Sequence, residues 1–339
     1  MTIEIRVPDA PTIEGLTFRR FRGAEDHAVM VEIMAASNEA DRLNYNESVE
    51  DVAHVFAHLT HCDPYRDVLF AEVRREPVAY SRVFWKDEEA GLRFYVSIGF
   101  VIPRFRRRGL GAAILRWNEA RARLVAADHP ENVEKVHHVW TTDGEPGAIA
   151  LFDSSGYRVA RTMVEMTRPT ALPLPPAAVP ERLVVRRALP SEYRAVWDAW
   201  EEAYRDHWGF APRTDEDYAR WTTSRLFQPE LWQIAWDDDE VAGMVLNYVD
   251  ERRNEAIGVR RGYTQNVFVR RRWRRRGLAR ALLTRSIERF REMGMEETYL
   301  GVDTESPTGA DRLYGSLGYS TARKHLVYRK PLWSAGEAP

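Results

Sequence analysis

At 339 residues, with 44% hydrophobic and 29% charged positions, the chain has room for two ordinary globular domains and lacks the composition of a disordered or fibrous protein. A net charge of −2 speaks against a nucleic-acid partner, and one cysteine, Cys62, leaves no disulfide framework or cysteine metal site within a chain, only an incidental thiol. No run approaches a membrane span and the N-terminus has no apolar leader core, so a cytoplasmic location with no membrane partner is expected.

The first fifteen residues read as a loose arm. Leu16–Phe21 alternates apolar and polar and predicts a strand. Helical patterns follow over about Glu25–Leu43 and Ser48–Leu59, then strands at Asp67–Val73 and Pro77–Trp85 around a turn at Arg74–Glu76. A strand over Phe94–Ile102 runs directly into PRFRRRGLGAAILRWNEARARL, an arginine-rich turn that closes on a glycine and becomes a helix. The segment RPTALPLPPAAVPER, Arg168–Arg182, is too rich in proline for regular structure and predicts an extended, semi-rigid linker. The element order then starts over. A strand at Leu183–Arg187 is followed by a helix capped by Ser191 and running to about Asp206, and by a second helix over Asp215–Phe227. Strands are expected at Leu231–Trp236 and Val241–Val249. After them comes YTQNVFVRRRWRRRGLARALLTRSIERF, Tyr263–Phe290, again strand, arginine turn and helix. A strand at Thr298–Val302, a short helix at about Thr308–Leu317 and a strand at Ala322–Tyr328 complete the chain.

Two pieces of this order repeat. Arg106-x-x-Gly109-x-Gly111 matches Arg274-x-x-Gly277-x-Ala279 at a spacing of 168 residues, and Ala148–Tyr157 matches Ala310–Tyr319 at 162. Two long-period copies mean a duplicated domain. The implied division is residues 16–168, a linker over 169–181, and residues 182–332. The turn has its own chemistry. The amides of Arg275 to Arg280 at a helix start are orphan donors at the positive end of the helix dipole. Gly277 and Ala279 let a bulky anion approach, with Leu278 between them, and the arginines suit phosphate. Arg274, Arg275, Arg276, Gly277, Leu278, Ala279 and Arg280 therefore read as a pyrophosphate cradle. Val101, Arg106, Arg107, Arg108, Gly109, Gly111 and Ala112 form a second one in the first copy. Neither a G-x-G-x-x-G fingerprint nor a P-loop Lys-Ser/Thr pair is present at these turns.

The motif resembles the R/Q-x-x-G-x-G/A signature of the GNAT N-acetyltransferases, and both copies follow that family's element order. The resemblance implies an α/β architecture of two tandem GNAT domains, each a mixed sheet splayed near its middle strands. The layout is similar to that of the mycothiol synthases, double GNAT proteins with a catalytic C-terminal half. It implies acetyl-CoA as co-substrate, with no metal, lying along Val267, Phe268 and Val269. Tyr314 matches the family's tyrosine on the helix after the fifth strand. A phenol of pKa about 10 there can protonate the leaving thiolate. The first copy carries Phe152 instead, which implies a degenerate, largely structural domain.

Ser306 stands where many relatives have asparagine, and fits either a bond to the CoA arm or a helix start. Some relatives place a glutamate before the cradle, but here Tyr263, Thr264, Gln265 and Asn266 offer no carboxylate. Asp303, Glu305, His207 or a water chain remain open as the base. The segment DHWGF ends the first helix of the second copy, and Tyr204, His207, Trp208, Phe210 and Asp303 are expected to wall the acceptor site. The expected function is acetyl transfer from acetyl-CoA to a small-molecule primary amine in the C-terminal domain, by a monomer whose halves imitate a dimer. A non-catalytic acyl-CoA sensor and a protein N-acetyltransferase are the alternatives.

Overall fold

The computed structural model describes residues 5–43, 47–306 and 308–333. Two compact units result. One comprises the chain up to Ala160 together with the stretch from Leu326 onward, and the other is Arg161–His325.

The first unit contains β1 (Leu16–Arg20), α1 (Asp26–Ala40), α2 (Val49–Ala57), α3 (Pro64–Asp67), β2 (Val68–Val73), β3 (Glu76–Asp87), β4 (Leu92–Val101), α4 (Leu110–Ala126), β5 (Glu134–Thr142) and α5 (Pro146–Ser154). Its strands lie in the order β1-β2-β3-β4-β5, antiparallel as far as β4 and parallel between β4 and β5. Both faces are covered, so the central strands carry apolar residues on both faces rather than alternating strictly, as in Val68–Ala71 and Phe94–Val96. On one face Leu110, Ala113, Ile114 and Trp117 of α4 pack against Leu69, Val78, Val83 and Tyr95. On the other, Met30 and Ile33 of α1 meet Val68, Phe70 and Tyr80. The N-terminal arm is not loose. Ile5 N–H donates to the Phe18 carbonyl at 3.1 Å, and Val7 is buried in the α4 core.

The second unit repeats the plan with β6 (Arg158–Pro169), β7 (Val184–Val185), α6 (Tyr193–Tyr204), α7 (Asp215–Thr222), β8 (Gln233–Asp237), β9 (Glu240–Val249), α8 (Glu251–Ile257), β10 (Arg261–Val269), α9 (Leu278–Glu292), β11 (Glu297–Asp303), α10 (Ala310–Ser316) and β12 (Ser320–Pro331). The order is β6-β11-β10-β9-β8-β7, with β10 and β11 parallel. Three details depart from the sequence pattern. Ser191 does not cap α6. A 3-10 turn at Pro190–Glu192 precedes the helix, fastened by the Glu192 carboxylate, which accepts from the Leu189 amide at 2.7 Å and from Arg186. α7 stops at Thr222, where the hydroxyls of Thr222 and Thr223 turn back onto carbonyls of the preceding turn. α8 is additional. Asp250 accepts from the Arg253 amide at its start and Gly258, at φ 67°, closes its end, but seven residues are too few to display a helical period.

The last strand of each copy departs most from expectation. β6 follows the first copy in sequence, yet it lies antiparallel on β11, with Met163 opposite Asp303 and Pro169 opposite Glu297. Arg168 is fully buried there, and its guanidinium donates to the carbonyls of Leu317, Pro169, Leu172 and Pro173. Those bonds hold the start of the proline-rich segment, which has no regular structure beyond Pro169. Reciprocally, the tail of β12 belongs to the first unit. Leu332 N–H donates to the Lys135 carbonyl at 3.0 Å, Arg123 Nε donates to the Leu332 carbonyl at 2.8 Å, and Lys330 Nζ pairs with Glu119 at 2.9 Å. The division at 168/182 read from the proline-rich segment is thus not the division between the compact units. Among the described residues no helix is long and apolar enough to cross a membrane.

Candidate active site

In the second unit β10 and β11 pair from Arg261/Glu297 to Thr264/Leu300 and then part. β10 continues against β9 as far as Val269/Gly243, past a bulge between Thr264 and Asn266. Gln265–Val269 therefore keep an edge facing a slot, and a Cβ added to Gly301 on the opposite strand would meet nothing within 4 Å. Unpaired strand amides beside such a slot are ready to bond an amide-bearing ligand.

The slot leads to the turn. Arg274 is extended (φ −65°, ψ 159°), Arg275 is left-handed at φ 63°, and Gly277 at φ 82°, ψ −3° opens α9. Among the described residues no side chain caps α9, so its first amides stay available. A Cβ on Gly277 would project into open space, the room a pyrophosphate needs. Arg275 and Arg276 are exposed beside it. Arg274 is not free to join them: its Nε donates to the Val269 carbonyl at 2.8 Å and its Nη1 to Asp206 at 2.8 Å. It fastens the end of β10 to the end of α6. Arg280 reaches Ser316 Oγ at 2.9 Å, while Leu278 is buried in the core and Ala279 is half-buried.

On the α6 side the sequence-predicted aromatics converge. Tyr204 Oη donates to Asn266 Oδ1 at 2.8 Å, at the point where β10 leaves β11. Burial pushes the Tyr204 phenol up to about 12, against the opposing pull of Arg213, Trp200 and the Val267 backbone. His207 stacks on Tyr204 with ring centroids 4.2 Å apart. Burial lowers the His207 pKa, with Asp303 opposing, so the ring is neutral at neutral pH. Asp303 is held by Arg161, which approaches it at 2.8 and 2.9 Å and also lies 5.5 Å over the Trp208 ring. Phe210 follows, its amide donating to the His207 carbonyl. Tyr314 comes from α10 and is 5% exposed. Burial raises its pKa well above that of an ordinary phenol, with the neighbouring phenols of Tyr204 and Tyr319 adding to the shift. Among the described residues its hydroxyl has no hydrogen-bond partner.

The acetyltransferase (GNAT) family model matches residues 193–319. A mycothiol acetyltransferase from Thermobispora bispora is 31% identical over 231 residues, covering 68% of this chain and 74% of the relative. The chain belongs to the GNAT acetyltransferase family. A second mycothiol acetyltransferase, from Kineococcus radiotolerans, is 30% identical over 239 residues, covering 67% of this chain and 70% of the relative. Among solved structures, a GCN5-related N-acetyltransferase from Sphaerobacter thermophilus matches 98% of this chain and 99% of its own at 27% identity and TM-score 0.72. A tandem GNAT protein from the clavulanic acid biosynthesis pathway matches 94% and 99% at 14% identity and TM-score 0.67, a likeness of fold. The protein is an acyltransferase of a family that uses acetyl-CoA, built as two GNAT folds.

Within this acetyltransferase the first unit keeps the cradle's backbone. Arg106 (φ −70°, ψ 160°), Arg107 (φ 61°) and Gly109 (φ 84°, ψ −9°) retrace their counterparts, and α4 is likewise uncapped by any described side chain. Arg106 repeats the bracket, bonding the Val101 carbonyl at 3.0 Å and Asp41, at the end of α1, at 2.6 Å. Arg107, Arg108 and Gly109 are exposed, whereas Gly111 and Ala112 are half-buried. Aligned on these brackets, the residues around the first cradle differ. Glu39 stands for Tyr204, Arg42 for His207, Ile98 for Asn266, Gly99 for Val267 and Phe152 for Tyr314. Phe152 packs on Tyr157 and Tyr328 at 5.8 and 5.6 Å.

Three residues of the second site escape sequence reasoning. Asn266 reads only as the absence of a carboxylate. Arg161 belongs in sequence to the first copy, so no local pattern points to Asp303. Arg213, 3.9 Å above the Trp200 ring, looks like an ordinary loop residue. Ser306 bonds Thr308 Oγ1 at 2.9 Å within the turn before α10, but the N-cap of that helix is Gly309 and no described side chain caps it. In the stretch where some relatives carry glutamate, Tyr263 is fully buried and donates to Asn254 at 3.1 Å, which leaves it no role as a base.

Proposed function

We propose that the second unit transfers the acetyl group of acetyl-CoA directly to the primary amine of a small molecule, and that the first unit is a structural partner. The observation that carries this reading is the slot between β10 and β11, which opens onto an uncapped, glycine-led helix, with Tyr314 in the apolar cluster against which Val267 and Val269 pack. The pyrophosphate fits the amides of Arg275–Arg280, with the exposed Arg275 and Arg276 adding charge. The pantetheine arm fits along Val267–Val269, whose strand amides lack a β11 partner. The backbone at Val267 faces the thioester carbonyl, and Tyr314 gives its proton to the departing thiolate and regains one from solvent. A phenol whose pKa burial raises stays protonated throughout the working range, so the acid is always loaded. Tyr204, Trp208 and Phe210 wall the acceptor side. Because relatives of 30–31% identity carry the name mycothiol acetyltransferase, the unacetylated mycothiol precursor is the first acceptor to try.

The test has two parts. Release of CoA thiol is measured with the mycothiol precursor and with a panel of amino sugars and amino acids. Acetyl-CoA binding is measured by calorimetry for the wild type, Gly277→Glu and Gly109→Glu. Gly277→Glu sets a carboxylate against the phosphates and should abolish binding in the second unit and all turnover, whereas Gly109→Glu should leave turnover intact. Undiminished binding by Gly277→Glu would sink the assignment of the cradle.

A further inference from the structure

Resting on the reading above, we propose that His207 is the catalytic base, taking the proton from the acceptor amine as it attacks. Among the described residues the carboxylates near the slot are each engaged. Asp303 accepts two nitrogens of Arg161 and the Glu305 amide. Glu305 pairs with Arg161 at 3.0 Å, Asp206 is clasped by Arg271 and Arg274, Glu202 holds Arg270, and Glu201 accepts from the Arg213 amide. Tyr263 is buried and engaged with Asn254. Among the described residues no hydrogen bond or ion pair engages the His207 side chain. The imidazole is half-buried, so it has an open side, and it lies flat on Tyr204, whose hydroxyl marks the end of the slot.

The groups facing His207 are Tyr204 on α6, Asp206 just beyond it, Arg213 on the loop before α7, Arg274 in the cradle turn and Asp303 on β11. Burial and the two arginines favour the neutral ring before reaction. Asp303, fixed by Arg161, favours the charged ring once a proton arrives. The step balances. The amine nitrogen forms its bond to the acetyl carbon, the carbon–sulfur bond breaks, His207 holds the amine proton, and Tyr314 protonates the thiolate. Solvent then takes the proton from His207 and reloads Tyr314.

The experiment compares wild type with His207→Gln, which keeps polarity and bulk but cannot titrate. With the acceptor that gives most CoA release, kcat should fall roughly 10²–10⁴-fold while the calorimetric affinity for acetyl-CoA holds. The acid limb of the wild-type kcat profile should lie below the ordinary imidazole pKa of about 6.5 and be missing from the variant. Added imidazole should restore part of the rate. A variant that keeps its kcat with chemistry rate-limiting, or that keeps the acid limb, overturns the proposal. A protein that binds acetyl-CoA yet acetylates no amine counts against the reading of function instead. In that case the His207 ring is still followed by NMR, its signal assigned by its loss in His207→Gln. A ring that titrates at or above about 6.5 also overturns the proposal.

Discussion

Asp206 is the residue on which the cradle's geometry converges. It receives Arg271 and Arg274 together, and those bonds hold its carboxyl well below the usual carboxylate range. A depressed pKa means that its stabilising contribution is complete above the unfolded value of about 3.9 and is lost as pH falls through the folded one. Asp206→Asn should therefore melt below the wild type at pH 7, and the gap should close as both are taken to strongly acid pH. A gap independent of pH in thermal melts would show that the ion pairs contribute nothing there. Tyr314 bears on chemistry rather than stability. Tyr314→Phe removes one oxygen and keeps the ring, so acetyl-CoA affinity should hold while kcat drops roughly 10²–10⁴-fold. Phe152→Tyr should leave the rate of the intact protein unchanged, because Glu39 and Arg42 stand where the second unit has Tyr204 and His207. Full kcat in Tyr314→Phe, with chemistry limiting, would make Tyr314 a packing residue.

At the scale of elements, the strand–turn–helix unit was legible because its signal is local. Small residues, charge and helical period all fall within thirty positions, and the backbone follows them in both copies. The opening between β10 and β11 was not legible from residues themselves, since nothing in Gln265–Val269 says that pairing stops at Thr264. Only family resemblance anticipated it. The same limit applies to Arg274, whose charge reads as phosphate-binding until Asp206 and the Val269 carbonyl are seen to use it. β6 was implied only as the strand that closes the first copy's element order, and its place was not legible. A strand's pattern tells which face is buried, not which neighbour it pairs with. Because β6 lies on β11, Arg161 of the first copy's sequence fixes Asp303 at the end of β11 in the second unit.

For the molecule as a whole, the tail of β12 makes the first unit depend on the far end of the sequence. Tyr328 and Leu332 are buried in it, and Lys330 and Arg329 are paired with Glu119 and Glu88. Removing everything after His325 should strip hydrogen-exchange protection from β5 and α4 while β10, α9 and acetyl-CoA binding persist. Equal loss in both units would mean that the exchanged strands serve one cooperative fold.

The placement of that tail also sets a timetable for the nascent chain. Almost all of the first unit leaves the ribosome before any of the second, yet its sheet lacks a strand until Leu326–Leu332 have been made. Arg161–His325 needs nothing synthesised later, so the unit translated second is the first able to close. Through most of translation β5 presents an open edge, the kind of surface that recruits chaperones or pairs wrongly with a neighbouring chain.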